Sequence, residues 1–311
     1  MDLGIEVILD IFSKNGLTNL KPAQSSSAWS GNAQRIYVLW EEYVKTIDSA
    51  IEFLQGKNPT LAQLIAQGNF LPEASKFDQL VDLEWGFGHM GIQDKAKHFA
   101  TLYLEDLADF IRECVDEHFG FSRYAERLGR SANSFDELHQ SLQSSHSYID
   151  KISLRILADR LEEMNPQLLC FSVPFPGNLY SAFRCAQFVK KQFPHIKICM
   201  GGGFANTELR ELSDVRVFDF FDFICLDDGE LPLESLYRYI SGALSKQNLK
   251  RTFLKEEGKV IYINHPECKD YHQSELGPPD YSDLLLNRYI SVLEIANPMH
   301  TLWRDGGCNQ L

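Results

Sequence analysis

The sequence predicts an α/β protein: a large helical N-terminal region, then a parallel sheet, then a C-terminal β-hairpin and linker. Three observations predict it. Up to about residue 165, apolar residues recur at helical spacing. After Pro166, short apolar runs alternate with amphipathic segments, the grammar of βαβ units. Finally, two apolar runs flank Glu257-Gly258, as in a hairpin. The expected organisation is a mainly helical region over 1–150, a sheet domain over 151–249, and a hairpin with linker over 250–311.

The helical region reads in three main pieces. From Ala33, residues Ile36, Leu39, Tyr43, Ile47, Ile51 and Leu54 share one helical face, and Gly56 supplies a stop. The segment from Asp94 repeats the pattern and ends at Gly120. The segment from Ser147 has a cap-like start and ends before Pro166. Continuous apolar runs follow at "LLCFSVPF", "IKICMG" and "FDFICLDDG", as parallel strands covered on both faces require. The tail from Gly277 is punctuated by proline, with a helix-like piece near Ser282–Leu293, and reads as a connector.

The chain has 311 residues, enough for a substantial core, with 44% hydrophobic and 23% charged residues, ordinary for a globular protein. Its net charge of -13 weighs against nucleic acid or an anionic membrane as a partner. No apolar run is long enough to span a bilayer. The seven cysteines are scattered, and Cys170, Cys199 and Cys225 lie in the strand-like runs. They read as reduced core thiols of a cytoplasmic protein. His265, His272 and His300, with Glu267 and Cys268, match no standard metal spacing, so no metal site is expected. No nucleophile motif appears, and no catalytic residue is assigned.

In open α/β sheets, ligands bind beyond the C-terminal strand ends. Three loops leave those ends: Ser172–Asn178, Gly201–Asn206 and Asp227–Glu230. The first carries Pro174 and Pro176, which fix φ. The second carries Gly201, Gly202 and Gly203, which permit close backbone approach, and leads into a helix with Asn206 or Thr207 as cap. Such a helix start favours anions. The third carries Asp227, Gly229 and Glu230. The glycines form neither a dinucleotide fingerprint nor a P-loop, and a tight strand-to-helix turn is their plainer reading. The third loop reads equally as an exposed acidic turn. "EWGFGHMG", from Glu84, is either a cover over a planar ligand or a glycine-rich helix connection.

At these residues the chain resembles the Rossmann-like cobalamin-binding domain that precedes the barrel of many radical SAM enzymes. "FSVP" around Ser172, "CMGGGFAN" and "FDFICLDDGELPLESL" carry the resemblance, over about residues 150–311. Pro174 and Gly201 also stand at a separation close to that family's usual gap. The resemblance implies cobalamin as cofactor, with Ser172, Pro174, Asn178, Gly201, Gly202, Gly203, Asp227, Gly229 and Glu230 around it. It also implies an iron–sulfur cluster and S-adenosylmethionine, both in full-length relatives only.

Three departures qualify it. The Asp-x-His-x-x-Gly cobalt-ligand loop is absent; the nearest string, Asp116–Gly120, has its glycine one residue early. The C-x-x-x-C-x-x-C cluster is absent, so no radical chemistry is expected from this chain alone. A first βα unit is expected before the segment that opens at Met1, and the chain reads as truncated. The expected function is cobalamin binding within a radical SAM-type enzyme. The alternatives are a binding module for a nucleotide or a protein partner, and a remnant that binds nothing.

Overall fold

The computed structural model describes residues 1–82, 91–121, 135–267, 269–272, 274–278 and 280–293. It is α/β, and the chain divides into two compact units. A helical unit comprises Met1–Glu117 with the segment from Tyr281, and a sheet unit comprises His118–Asp280.

The helical unit starts with α1 (Leu3–Ile11), α2 (Lys14–Leu20) and α3 (Gly31–Val38). Each has a short polar cap whose side chain accepts a first-turn N–H: Asp2, Ser13 and Ser30. Next come α4 (Trp40–Leu54), α5 (Ala62–Ala66) and α6 (Ile92–Cys114). Trp40, Tyr43, Ile47, Tyr103, Leu107 and Phe110 are all at most 1% exposed. Burying each such side chain contributes about 1.5–3 kcal/mol. Tyr43 and Tyr103 stack at 5.0 Å, and Trp40 packs on Phe110 at 4.9 Å.

The single helix expected from Ala33 is broken at Leu39, where ψ is 7°. The Leu39 carbonyl accepts from both Glu42 N and Tyr43 N, tightening the turn. Trp40 thereby takes a core position, and Leu39 stays only half-buried.

The tail also departs from expectation. Its helix-like piece is one 3₁₀ turn, Leu286–Arg288; Tyr289 after it is extended, and residues 290–293 form no helix. They are fastened to the helical unit. Arg288 pairs with Glu6 at 2.7 Å, and Gln55 donates to the Arg288 carbonyl at 2.7 Å. Ser291 N donates to the Leu54 carbonyl at 2.9 Å, and Leu293 N to Thr101 Oγ1 at 2.9 Å. These helix-end and side-chain acceptors satisfy backbone donors that a helix would have satisfied internally.

The sheet unit contains α7 (Asp136–Leu142), α8 (Tyr148–Met164), β1 (Leu168–Ser172), α9 (Leu179–Gln192), β2 (Lys197–Gly201), α10 (Gly203–Glu208), β3 (Phe223–Cys225), α11 (Glu230–Ile240), β4 (Thr252–Glu256) and β5 (Lys259–Ile263). Ser147 and Asp150 form the reciprocal capping box that starts α8. Asn165, in the left-handed region, ends it just before Pro166.

The sheet is five-stranded in the order β1-β2-β3-β4-β5. β1, β2 and β3 are parallel; β4 and β5 join antiparallel. The sheet is therefore mixed, and the hairpin extends it instead of standing apart. Glu257 and Gly258 both have positive φ, as a tight two-residue hairpin turn requires. On one face, Leu236 of α11 packs against Cys199, Phe223, Cys225 and Leu254. On the other, Phe183 of α9 meets Phe220 and Phe221, and Phe171 of β1 meets Phe221.

A buried ion pair pins the helices of this second face. Arg184 Nε lies 3.1 Å from Asp150, with both side chains under 5% exposed. Arg184 also donates to the Leu142 carbonyl at 2.8 Å, and Tyr180 donates to Asp150 at 3.1 Å. α7, α8 and α9 are thus tied through one guanidinium.

Candidate functional site

The three loops expected to bear a ligand leave the C-terminal ends of β1, β2 and β3 side by side, because those strands run parallel in register. Ser172 is the register partner of Gly201. The first two loops interlock. Val173 N donates to the Gly201 carbonyl at 2.8 Å, and Phe204 N donates to the Val173 carbonyl at 2.9 Å.

The glycines serve this interlock. Gly202 has φ +98°, and a Cβ there would lie 2.7 Å from Val173 N and 2.8 Å from Val173 O. A Cβ on Gly203 would lie 2.7 Å from the Pro174 carbonyl. Gly201 has ordinary room, its nearest neighbour being the Cys225 carbonyl at 3.5 Å. The backbone approaching Gly202 and Gly203 is therefore that of the β1 loop.

The helix cap is also corrected. α10 starts at Gly203 with Gly202 as its cap, so Asn206 lies inside the helix, as does Thr207. α10 has six residues, too short to make its start an anion site. Asn206 instead turns to the third loop, where its Oδ1 accepts from Asp227 N at 2.6 Å.

The third loop is held by charge. Asp227 has φ +60° and pairs with Arg210. Arg251, itself at φ +42° with a side chain 10% exposed, lies 3.7 Å from Asp227. Arg251 also donates to the Leu226 carbonyl at 3.4 Å, the Asp228 carbonyl at 3.1 Å and Asp270 at 2.6 Å. Gly229 caps α11 and Glu230 occupies its first turn, a favourable place for a negative charge. Asp228, Glu230, Leu231, Asp270, Tyr271 and Leu276 line a cavity of about 270 Å³.

Ser172, Pro174, Asn178 and Gly203 are exposed, and so is Phe175 at 69%. Asn178 makes no side-chain cap on α9 and stays available at the surface. Gly201, Gly202, Asp227 and Gly229 are half-buried, and Glu230 is exposed. The strand order contains no reversal among the described strands, so the crevice of a doubly wound sheet is not formed there.

The uncharged, exposed residues of the first two loops fit a neutral ligand surface. The acidic third loop does not fit a phosphate, because Asp228 and Glu230 would repel it. Among the described residues no group of three His, Cys, Asp or Glu could hold a metal ion. No helix there is long and apolar enough to cross a membrane. Of "EWGFGHMG", all but Gly91 lies outside the described residues, as do Cys268, His300 and Cys308.

Sequence reasoning missed Arg210, Arg251 and Asp270 and gave Asn206 a cap's role instead of its bond to Asp227, because these roles depend on partners distant in sequence. It also read Cys170 as a core thiol, whereas Cys170 is exposed. One signal was legible. Cys170, Cys199 and Cys225 each stand two residues before the loop positions Ser172, Gly201 and Asp227. Equal offsets in parallel strands put all three on one face, because side chains alternate with period two.

Comparison of the chain with protein-family models, with curated proteins and with solved structures finds no match.

Proposed function

We propose that the sheet unit is a Rossmann-like small-molecule-binding domain of a larger enzyme, with cobalamin as the cofactor that the sequence resemblance implies. One observation carries this reading. Three loops from adjacent parallel strand ends are locked to one another by backbone and side-chain hydrogen bonds, while Ser172, Pro174, Phe175, Asn178 and Gly203 remain exposed on them. A rigid support with an uncommitted outer surface suits ligand binding. The family to which the resemblance points uses cobalamin to carry alkyl groups or to assist radical chemistry.

The chain's own part is to hold and orient. Ser172 Oγ and the Asn178 amide offer hydrogen bonds, and Phe175 and Pro174 offer apolar contact. Gly202 supports the surface from behind. Asp228 and Glu230 keep phosphate groups off the third loop, which also weighs against a nucleotide bound there. In the family to which the resemblance points, catalysis belongs to an iron–sulfur and S-adenosylmethionine barrel.

The test is retention of colour. The intact chain is folded with hydroxocobalamin, freed of unbound ligand by gel filtration, and its visible spectrum and stoichiometry recorded. The reading expects near-equimolar cobalamin, lost on Ser172→Arg with the circular dichroism unchanged. A folded chain that retains none overturns it. Gly202→Val is unsuitable as the probe, because it disrupts the loop interlock whether or not a ligand binds.

A further inference from the structure

We propose that Cys170 is a hydroperoxide-reactive thiol and that Cys199 is its resolving partner. The inference is independent of the cobalamin reading. It rests on a row of polarisable side chains across one sheet face. Cys170 of β1 and Cys199 of β2 are register partners. Cys199 Sγ lies 3.5 Å from Cys225 Sγ on β3, and Cys225 Sγ lies 3.6 Å from Thr252 Oγ1 on β4.

Burial grades this row. Cys170 is exposed, whereas Cys199 and Cys225 are 1% and 5% exposed. The exposure has a structural cause. α11 covers Cys199 and Cys225, but on β1 the same face leaves Cys170 and Ser172 open. Among the described residues β1 pairs only with β2, so it forms a sheet edge. An oxidant therefore reaches the outer thiol and not the inner two.

The geometry suits disulfide formation. Neighbouring strands stand about 4.8 Å apart, and disulfide Cα atoms are usually about 4.4–6.8 Å apart. Register partners on one face thus need only side-chain rotation and a small local shift. Hydrogen bonding from Cys199 holds the Cys170 thiol below its ordinary pKa, while hydrogen bonding to its two neighbours, together with burial, holds Cys199 well above. Cys225 is lowered by the same neighbour but is buried, so exposure makes the outer thiol the one that meets an oxidant as thiolate and attacks.

The chemistry takes two steps. The Cys170 thiolate attacks a hydroperoxide; an S–O bond forms, the O–O bond breaks, and the alcohol (water, for hydrogen peroxide) leaves with a proton. Cys170 is now a sulfenic acid. The Cys199 sulfur then attacks the Cys170 sulfur; an S–S bond forms, the S–O bond breaks, and water leaves with the Cys199 proton. Two thiols lose two electrons, and the hydroperoxide gains them.

The test uses the intact chain and hydrogen peroxide. Free thiols are alkylated after timed exposure, and peptides are mapped by mass spectrometry. The first disulfide is expected to join Cys170 and Cys199, appearing at least about tenfold faster than oxidation of Cys185. In Cys199→Ser, Cys170 is expected to stop at sulfenic acid and to accumulate dimedone adduct, which the wild type does not. If Cys199→Ser fails to fold, Cys199→Ala gives the same readout. A first disulfide without Cys170, or equal dimedone labelling of Cys170 in wild type and variant, overturns the proposal. So does oxidation of Cys170 no faster than in the urea-unfolded chain.

Discussion

The helical unit and the sheet unit dispose of their surfaces in opposite ways. The helical unit closes on itself: Trp40, Tyr43, Tyr103 and Phe110 fill its centre, and the segment around Arg288–Leu293 is stitched to helix carbonyls and side chains. The sheet unit is packed on its Phe183 face and around α11, yet stays open along β1 and above the three loops. The contrast separates a closed core from an open surface. Several buried polar groups in the closed unit, Asp106 and Thr101 among them, are committed to internal partners. Ser172, Asn178, Phe175 and Cys170 in the open unit face outward with chemistry to spare.

The comparison can be broken first where the sheet unit behaves like a closed core. Arg184→Met leaves the Asp150 carboxylate buried without its guanidinium. Equilibrium urea unfolding is expected to show a loss of about 3–5 kcal/mol. A loss below about 1 kcal/mol would mean that α7, α8 and α9 do not depend on that pair. Gly202→Val comes next. Its Cβ meets Val173 backbone at 2.7 Å with φ at +98°, and the cost is expected near 3 kcal/mol. Gly201→Ala, with 3.5 Å of room, is expected to cost about 1 kcal/mol or less. Equal costs at the two positions would refute the interlock as the reason for the glycines.

The helical unit offers a pH test. Burial raises the Asp106 carboxyl to about 6, against hydrogen bonds from Lys76 N and Ala74 N and from the Asn32 side chain that act the other way. Its folded pKa therefore exceeds its unfolded one, and the folded state binds the proton more tightly. Its contribution to stability is full below about pH 4 and is lost as pH rises through about 6. Stability measured from pH 4 to pH 7 is expected to fall on this account, and Asp106→Asn is expected to flatten that slope. The smallest effect is at the tail. Arg288→Ala removes a partly exposed pair with Glu6 and is expected to cost about 1 kcal/mol. Faster amide exchange at Ser291 and Leu293 would accompany it.

What could be read from the sequence was local. The Ser147–Asp150 capping box, the Glu257-Gly258 turn and the three parallel strands each follow from neighbours in the chain, and the structure contains all three. What could not be read depends on distant partners. Val173 against Gly202, Asn206 on Asp227, and Arg251 across Leu226, Asp228 and Asp270 arise only once register is set. The break at Leu39 is of the same kind, because an uninterrupted periodic pattern cannot show where packing makes a helix slip. The triple glycine shows the limit most plainly. Its composition demands close approach, but composition does not say whether a ligand or the chain's own backbone approaches.

Hydrogen exchange with and without hydroxocobalamin tests the central claim, that ligand rests on the outer side of the first two loops. Amides of Phe175–Asn178 and of Gly203–Thr207 should exchange more slowly when cobalamin is present, while those of α4 and α6 stay unchanged. Cobalamin retained with no protection at either loop, or with protection confined to the helical unit, would contradict the account.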